Sequence, residues 1–152
     1  MKKIGIVGYP QKEGFGIPTS YLHFFSYFGI VNIIMPNEKE IRKDLDLLVL
    51  PGGPDVDTKR YLGENPLSLR IGTPCPFRER FDDVLLPKYV QNKTPIFGIC
   101  RGHQSLAVFF GGSLKQDMSH ETSPSTERTK NVHGVILYEN ISDFIPEFST
   151  LD

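Results

Sequence analysis

Pro95-Ile96-Phe97-Gly98-Ile99-Cys100-Arg101-Gly102-His103-Gln104 is an apolar run that passes without a linker into a Gly-x-Cys-x-Gly turn, and then into a segment of helical character. Sharp strand-to-helix turns hold a nucleophile in strained backbone geometry, and flanking glycines give the turn room. A thiol at Cys100 would stand at a helix N-terminus, where the dipole and the free amide N–H groups favour negative charge. Those amides also suit an oxyanion hole, because the Arg101 N–H directly follows the nucleophile and can face a developing tetrahedral oxyanion. Gln104, four residues after Cys100, falls on the same side of the helix start, within reach of a bound substrate. A lone cysteine is ordinarily a small buried hydrophobe. Here the two glycines, the preceding strand and Gln104 argue instead for a nucleophile, whereas Cys75, in Thr73-Pro74-Cys75-Pro76, has no such setting.

Working outward, the other apolar runs are also short, β-branched and closed by turn residues: 4–7, 31–35 before Pro36, and 45–50 before Pro51-Gly52-Gly53-Pro54. Continuous runs of this kind suit strands buried on both faces of a parallel sheet. Helical segments fit between them. Thr19 or Ser20 could cap a helix through Tyr21-Leu22-His23-Phe24-Phe25-Ser26-Tyr27-Phe28, stopped by Gly29. Residues 81–90 carry Phe81, Leu85 and Tyr89 at helical spacing, interrupted by Pro87, and 102–110 read as a helix ended by Gly111-Gly112. The alternation predicts an α/β domain with a mostly parallel central sheet and helices on both faces. Residues 55–77 and 115–130 read as excursions, 132–138 as an additional strand, and Phe144-Ile145-Pro146-Glu147-Phe148 as an apolar tail.

A chain of 152 residues has the length of one domain and buries roughly two-thirds of its unfolded surface without a metal or disulfide staple. Lys plus Arg total 17 against 18 Asp plus Glu, a formal charge of −1. That balance speaks against nucleic-acid binding through counterion release and against a polybasic membrane anchor. No apolar run approaches the roughly 18–20 residues of a membrane span. Met1-Lys2-Lys3 followed by Ile4-Gly5-Ile6-Val7-Gly8 is too short for a signal peptide and reads as a first strand running into Tyr9-Pro10-Gln11-Lys12. Two separated cysteines without ligand spacing predict neither a disulfide framework nor a zinc site, and a reducing cytoplasm is the expected location.

Leu48-Val49-Leu50-Pro51-Gly52-Gly53-Pro54-Asp55-Val56 is the second informative segment. The pair Gly52 and Gly53 lets backbone approach a ligand closely, and an exposed Gly53 N–H could be a second oxyanion donor. Pro-Gly-Gly-Pro is also an ordinary turn. Gly8, Gly14 and Gly16 lack the spacing of a dinucleotide fingerprint.

Together with Gly111-Gly112-Ser113-Leu114-Lys115-Gln116-Asp117, the segment from Gly98 to Gln104 resembles the nucleophile region of class I glutamine amidotransferase-like proteins. More narrowly, it is similar to the γ-glutamyl hydrolase branch typified by γ-glutamyl-γ-aminobutyrate hydrolase. Pro51-Gly52-Gly53-Pro54-Asp55-Val56 with Tyr61 and Gly63-Glu64, then Arg78-Glu79-Arg80-Phe81-Asp82 and His133-Gly134-Val135, fit the same branch. In the fourth of these the family's Arg-Asp-x-Phe-Glu stands with Glu and Asp exchanged. The resemblance implies a flavodoxin-like fold and a single domain over 1–152, in which Cys100 attacks the δ-carbonyl of a γ-glutamyl amide. Gly53 and Arg101 amides would hold the oxyanion, Gly52 and Gln104 would bind the glutamyl moiety, and water would resolve the thioester, with no metal or organic cofactor. Candidate substrates include γ-glutamyl-aminobutyrate, other amine or folate conjugates, and γ-glutamyl-CDP-amidate of capsule phosphoramidate biosynthesis. Lys59, Arg60, Arg70, Arg78 and Arg80 could meet a phosphorylated leaving group.

The family's general base is a His in a Val-Asn-Ser-x-His-His-Gln-like segment, oriented by a later Glu. The sequence stops at Ser149-Thr150-Leu151-Asp152 before such a segment, so a domain truncated at its C-terminal end is expected. His23, His103, His120 and His133 read as structural. Two alternatives stay open: a glutaminase subunit passing ammonia to a synthetase partner, and a non-catalytic protein that binds γ-glutamyl ligands.

Overall fold

The computed structural model describes residues 1–12, 14–61 and 72–114. The expected excursion 115–130, the strand 132–138, the tail 144–148, His120, His133, Arg70 and residues 62–71 of the 55–77 loop lie outside the described residues.

The apolar runs form the expected strands. These are β1 (Lys2–Val7), β4 (Gly29–Ile34), β5 (Leu47–Leu50) and β6 (Ile96–Gly98), in one sheet of order β4-β1-β5-β6. Every pairing in it is parallel: Ile4 lies opposite Val31 on one side and Leu47 on the other, and Val49 lies opposite Phe97. Such a sheet needs apolar cover on both faces, and the helices supply it. On one face Phe25 of α1 (Thr19–Ser26) packs on Ile4, Ile6 and Val49. On the other, Phe81, Leu85, Leu86 and Tyr89 pack on Val7, Ile34, Leu48 and Leu50. These come from α2 (Pro76–Val84), α3 (Leu86–Gln91) and the residue between them, while half-buried Leu106 and Phe109 of α4 (Arg101–Phe109) join the same layer. Complete burial is worth about 1.5–3 kcal/mol for each Leu or Phe, so the α2–α3 segment is firmly seated. The architecture is the mostly parallel, two-faced α/β sheet that the periodicity predicts, in flavodoxin-like order.

Three details differ from the sequence-based expectation. The single helix over 81–90 is two helices, starting earlier at Pro76 and broken at Leu85. Pro87 falls in the first turn of α3, where its missing N–H has no helical acceptor to lose. Helix α1 is capped by Pro18, with no side-chain bond from Thr19 or Ser20. Tyr9-Pro10-Gln11 does not simply end the first strand, because β2 (Tyr9–Gln11) pairs antiparallel with β3 (Gly14–Gly16). The end of α4 is as expected: Gly111, at φ 85°, and Gly112 donate to the Val108 and Ala107 carbonyls, a Schellman stop.

The chain leaves β1 toward β4 on one side and returns to β5 on the other. In open α/β sheets, ligands bind outside the carboxyl ends of the strands at such a reversal. Gly8-Tyr9, Pro51-Gly52-Gly53 and Ile99-Cys100 are the residues delivered there.

Candidate active site

Strand β6 reaches α4 through two residues, Ile99 and Cys100. Cys100 has φ 51° and ψ −110°, a conformation that costs a non-glycine residue about 1–3 kcal/mol and survives only where its surroundings impose it. The surroundings here are main chain. The Ile99 N–H donates to the Leu50 carbonyl at 2.9 Å, that of Gly102 to Ile99 at 2.9 Å, and that of Gln104 to Cys100 at 3.0 Å. The two flanking glycines have distinct steric reasons. A Cβ on Gly98 would come within 2.7 Å of the Gly102 and His103 backbone, and one on Gly102 would overlap the Leu50 carbonyl oxygen. The resulting elbow leaves Cys100 exposed, while Cys75 is buried.

Across from the elbow, a Cβ on Gly52 would lie 3.6 Å from the Cys100 Cβ, so Gly52 borders the thiol. Its N–H donates to the Tyr21 hydroxyl at 3.0 Å. Gly53 has φ 154°, a backbone region that favours glycine. Behind this loop, Arg78 donates through Nη2 to the Pro51 carbonyl at 2.9 Å and through Nη1 to the Gly52 carbonyl at 3.2 Å. Its guanidinium carbon stands 5.3 Å from the centre of the Tyr9 ring. The Arg101 N–H, at the first position of α4, has no acceptor among the described residues. Gln104 is half-buried, and its Oε1 is buried with no hydrogen-bond partner among the described residues. Cys100, Gly52 and the start of α4 are thus neighbours at this end of the sheet.

The Arg101 side chain turns away from the site. It is 1% exposed, hydrogen-bonds Glu79 Oε1 (2.7 Å) and Ser105 Oγ (2.6 Å), and is ion-paired with Asp82 Oδ2 at 2.8 Å. Glu79 Oε2 also takes Arg60 at 3.2 Å, and Arg60 pairs further with Asp83 at 2.7 Å. Both acids of Arg78-Glu79-Arg80-Phe81-Asp82 therefore grip the residue after Cys100, and the exchange of Glu and Asp keeps a carboxylate at each position. Burial, reinforced by the neighbouring Arg101 charge, lowers Arg78 to about 10, and burial raises Asp82 against the opposing pull of Arg101. This corrects part of the proposed anion patch. Arg60 and Arg78 are committed to the protein's own carboxylates and carbonyls, while Lys59 and Arg80 remain exposed. Removing one partner of a buried pair leaves the other charge uncompensated. Glu79→Ala, which takes one of two carboxylate partners from both Arg101 and Arg60 and leaves Asp82 and Asp83 in place, is expected to destabilise the fold by about 1–3 kcal/mol. A lowered urea midpoint at unchanged slope is the measurement that checks it.

His23 contacts Tyr27, 3.3 Å between Nε2 and the hydroxyl, on the exposed side of α1, and His103 is exposed on α4. Tyr21 is the residue that the sequence did not point to, and Arg78, expected as a cation for a leaving group, is instead a buried support of the Pro51-Gly52 loop.

No helix among the described residues is long and apolar enough to cross a membrane. Similarity to known proteins agrees with this geometry. Over 97% of its length and 71% of the relative's, the chain is 35% identical to the glutamine amidotransferase-like protein YvdE of Lactococcus lactis. It is 38% identical to the carbamoyl phosphate synthase small chain of Clostridium acetobutylicum over 57% of this chain and 24% of that one. It is 28% identical to the γ-glutamyl-γ-aminobutyrate hydrolase of Escherichia coli over 70% of this chain and 38% of that one. A family profile described as peptidase C26 matches residues 9–142. With a cysteine elbow at the carboxyl end of a parallel sheet and this span of similarity, the chain belongs to the peptidase C26 family of class I glutamine amidotransferase-like proteins.

Proposed function

We propose that the protein hydrolyses the γ-glutamyl amide bond of a small γ-glutamyl conjugate through a thioester on Cys100. The observation that carries this is the exposed Cys100 at φ 51°, bordered by Gly52 and heading α4. The Cys100 sulfur adds to the δ-carbonyl, and the Gly53 and Arg101 amides take the developing oxyanion. Collapse of that intermediate breaks the C–N bond, and the amine leaves with a proton. Water then attacks the thioester, giving glutamate and restoring the thiol. Gln104, with an unpartnered buried Oε1 one helical turn on, is the candidate contact for the glutamyl ammonium group. The name of the Escherichia coli relative supports an amine such as aminobutyrate as leaving group. A CDP-amidate remains the phosphorylated candidate, with Lys59 and Arg80 as its available cations.

The test is incubation of the full-length gene product with γ-glutamyl-aminobutyrate, γ-glutamyl-CDP-amidate and L-glutamine, following glutamate release and the acid-quenched protein by mass spectrometry. Glutamate from a conjugate, with a γ-glutamyl adduct on the Cys100 peptide, is the expected result. Release of ammonia from glutamine alone, rising when a synthetase is added, would establish the glutaminase reading instead. Absence of any adduct with all three would leave a binding protein.

A further inference from the structure

We infer that Arg78 and Tyr21 are positioning residues that clamp the Pro51-Gly52-Gly53 main chain so that the Gly53 N–H faces the acyl carbonyl on Cys100. The inference rests on the thioester reading above and adds to it the groups that aim the second oxyanion donor.

Arg78 is completely buried, yet among the described residues no carboxylate is paired with it. A guanidinium in that state is costly to the fold unless its hydrogen bonds are well used. Two of its nitrogens are used on consecutive carbonyls of one loop, Pro51 and Gly52. In a trans peptide, the C=O of one residue and the N–H of the next point in opposite directions. Every described peptide bond is trans. Holding the Gly52 carbonyl toward Arg78 therefore turns the Gly53 N–H away from it. The other end of Gly52 is held as well, since its own N–H donates to Tyr21, and a Cβ on it would lie 3.6 Å from the Cys100 Cβ. A charged donor on a carbonyl also polarises the amide, making its N–H the stronger donor. Glycine at 53 completes the device: φ 154° suits glycine, and a Cβ there would come within 3.4 Å of Arg78 Nη1.

The clamp predicts a signature that general damage to the fold would not give. The probe is γ-glutamyl-p-nitroanilide, with p-nitroaniline release reporting acylation. Alkylation of Cys100 by iodoacetamide, which forms no oxyanion, is the control. Arg78→Lys keeps the charge and loses the fork, so kcat should fall about 10²-fold, the order of losing one oxyanion donor, with KM and the alkylation rate within about twofold. Gly53→Ala should fall comparably. The double variant Arg78→Lys/Gly53→Ala should lose no more than the worse single, because both act on the same N–H. Tyr21→Phe, a mild change in packing, should cost about five- to tenfold in kcat at constant KM, the effect of one neutral hydrogen bond. Additive losses in the double variant, an undiminished kcat in Arg78→Lys, or equal losses in acylation and alkylation would overturn the clamp. If Arg78→Lys does not fold, Tyr21→Phe decides alone: wild-type kcat there refutes it. Failure of the wild-type protein to release p-nitroaniline would instead refute the thioester reading on which the clamp depends.

Discussion

Alanine at position 100 is expected to reduce γ-glutamyl amide turnover by at least about 10⁴-fold, the scale on which loss of a covalent nucleophile is measured. The fold should hardly notice the change. Cys100 is exposed, its side chain makes no hydrogen bond among the described residues, and the elbow is built from backbone contacts of Leu50, Ile99 and Gly102. Thermal melting of Cys100→Ala should therefore match that of the parent, and Cys100→Gly should melt slightly higher, because glycine occupies φ 51° without the Cβ penalty. Glutamate release that survives in the alanine variant would move the chemistry to another residue.

Gly102→Ala is expected to have the largest effect on folding, a loss of about 3 kcal/mol or more. The new methyl would overlap the Leu50 carbonyl oxygen and stand 2.6 Å from the Leu50 carbonyl carbon and Cβ. Neither neighbour is the free end of a side chain. That oxygen already accepts the Ile99 N–H, and Leu50 is a fully buried member of the central sheet. Relief requires α4 to back away from β5, which breaks the elbow and the apolar layer beneath it together. Gly16→Ala is the matched control: a Cβ there meets nothing within 4 Å, and its stability should change by no more than about 0.5 kcal/mol. Urea unfolding of the two variants side by side checks the contrast, and equal midpoints would mean that the elbow is not held by this contact.

The sheet and the elbow were legible because their causes are contiguous in the chain. Ile4 to Val7 and Leu47 to Leu50 are unbroken apolar runs, and Gly98, Cys100 and Gly102 announce a tight strand-to-helix turn within five positions. The supports of the site were not legible, because they are assembled from afar. Arg78 lies 27 residues beyond Pro51 and Tyr21 lies 31 residues before Gly52. Alone, the one reads as a surface cation and the other as an aromatic on an amphipathic helix. Their roles exist only once α1 and α2 are packed on opposite faces of the sheet. The β2–β3 hairpin escaped for a different reason: strands of three residues containing Pro10 carry almost no periodic signal. The division of 81–90 was half visible, since Pro87 marked a break but not that α3 would use it as a start.

The Leu50 carbonyl oxygen serves two clients at once, receiving the Ile99 N–H and resting against Gly102. The gap between the strand that ends in Pro51-Gly52-Gly53 and the helix that begins at Arg101 is thereby gauged main chain to main chain, with no side chain as spacer. At that gap the limit is the backbone itself, and the apolar layer holding Leu106 and Phe109 against Leu50 only presses the two main chains together. What a bound molecule meets above the strand ends is then set by the side chains carried there, while the distance between Cys100 and the Gly52 loop is a property of the backbone.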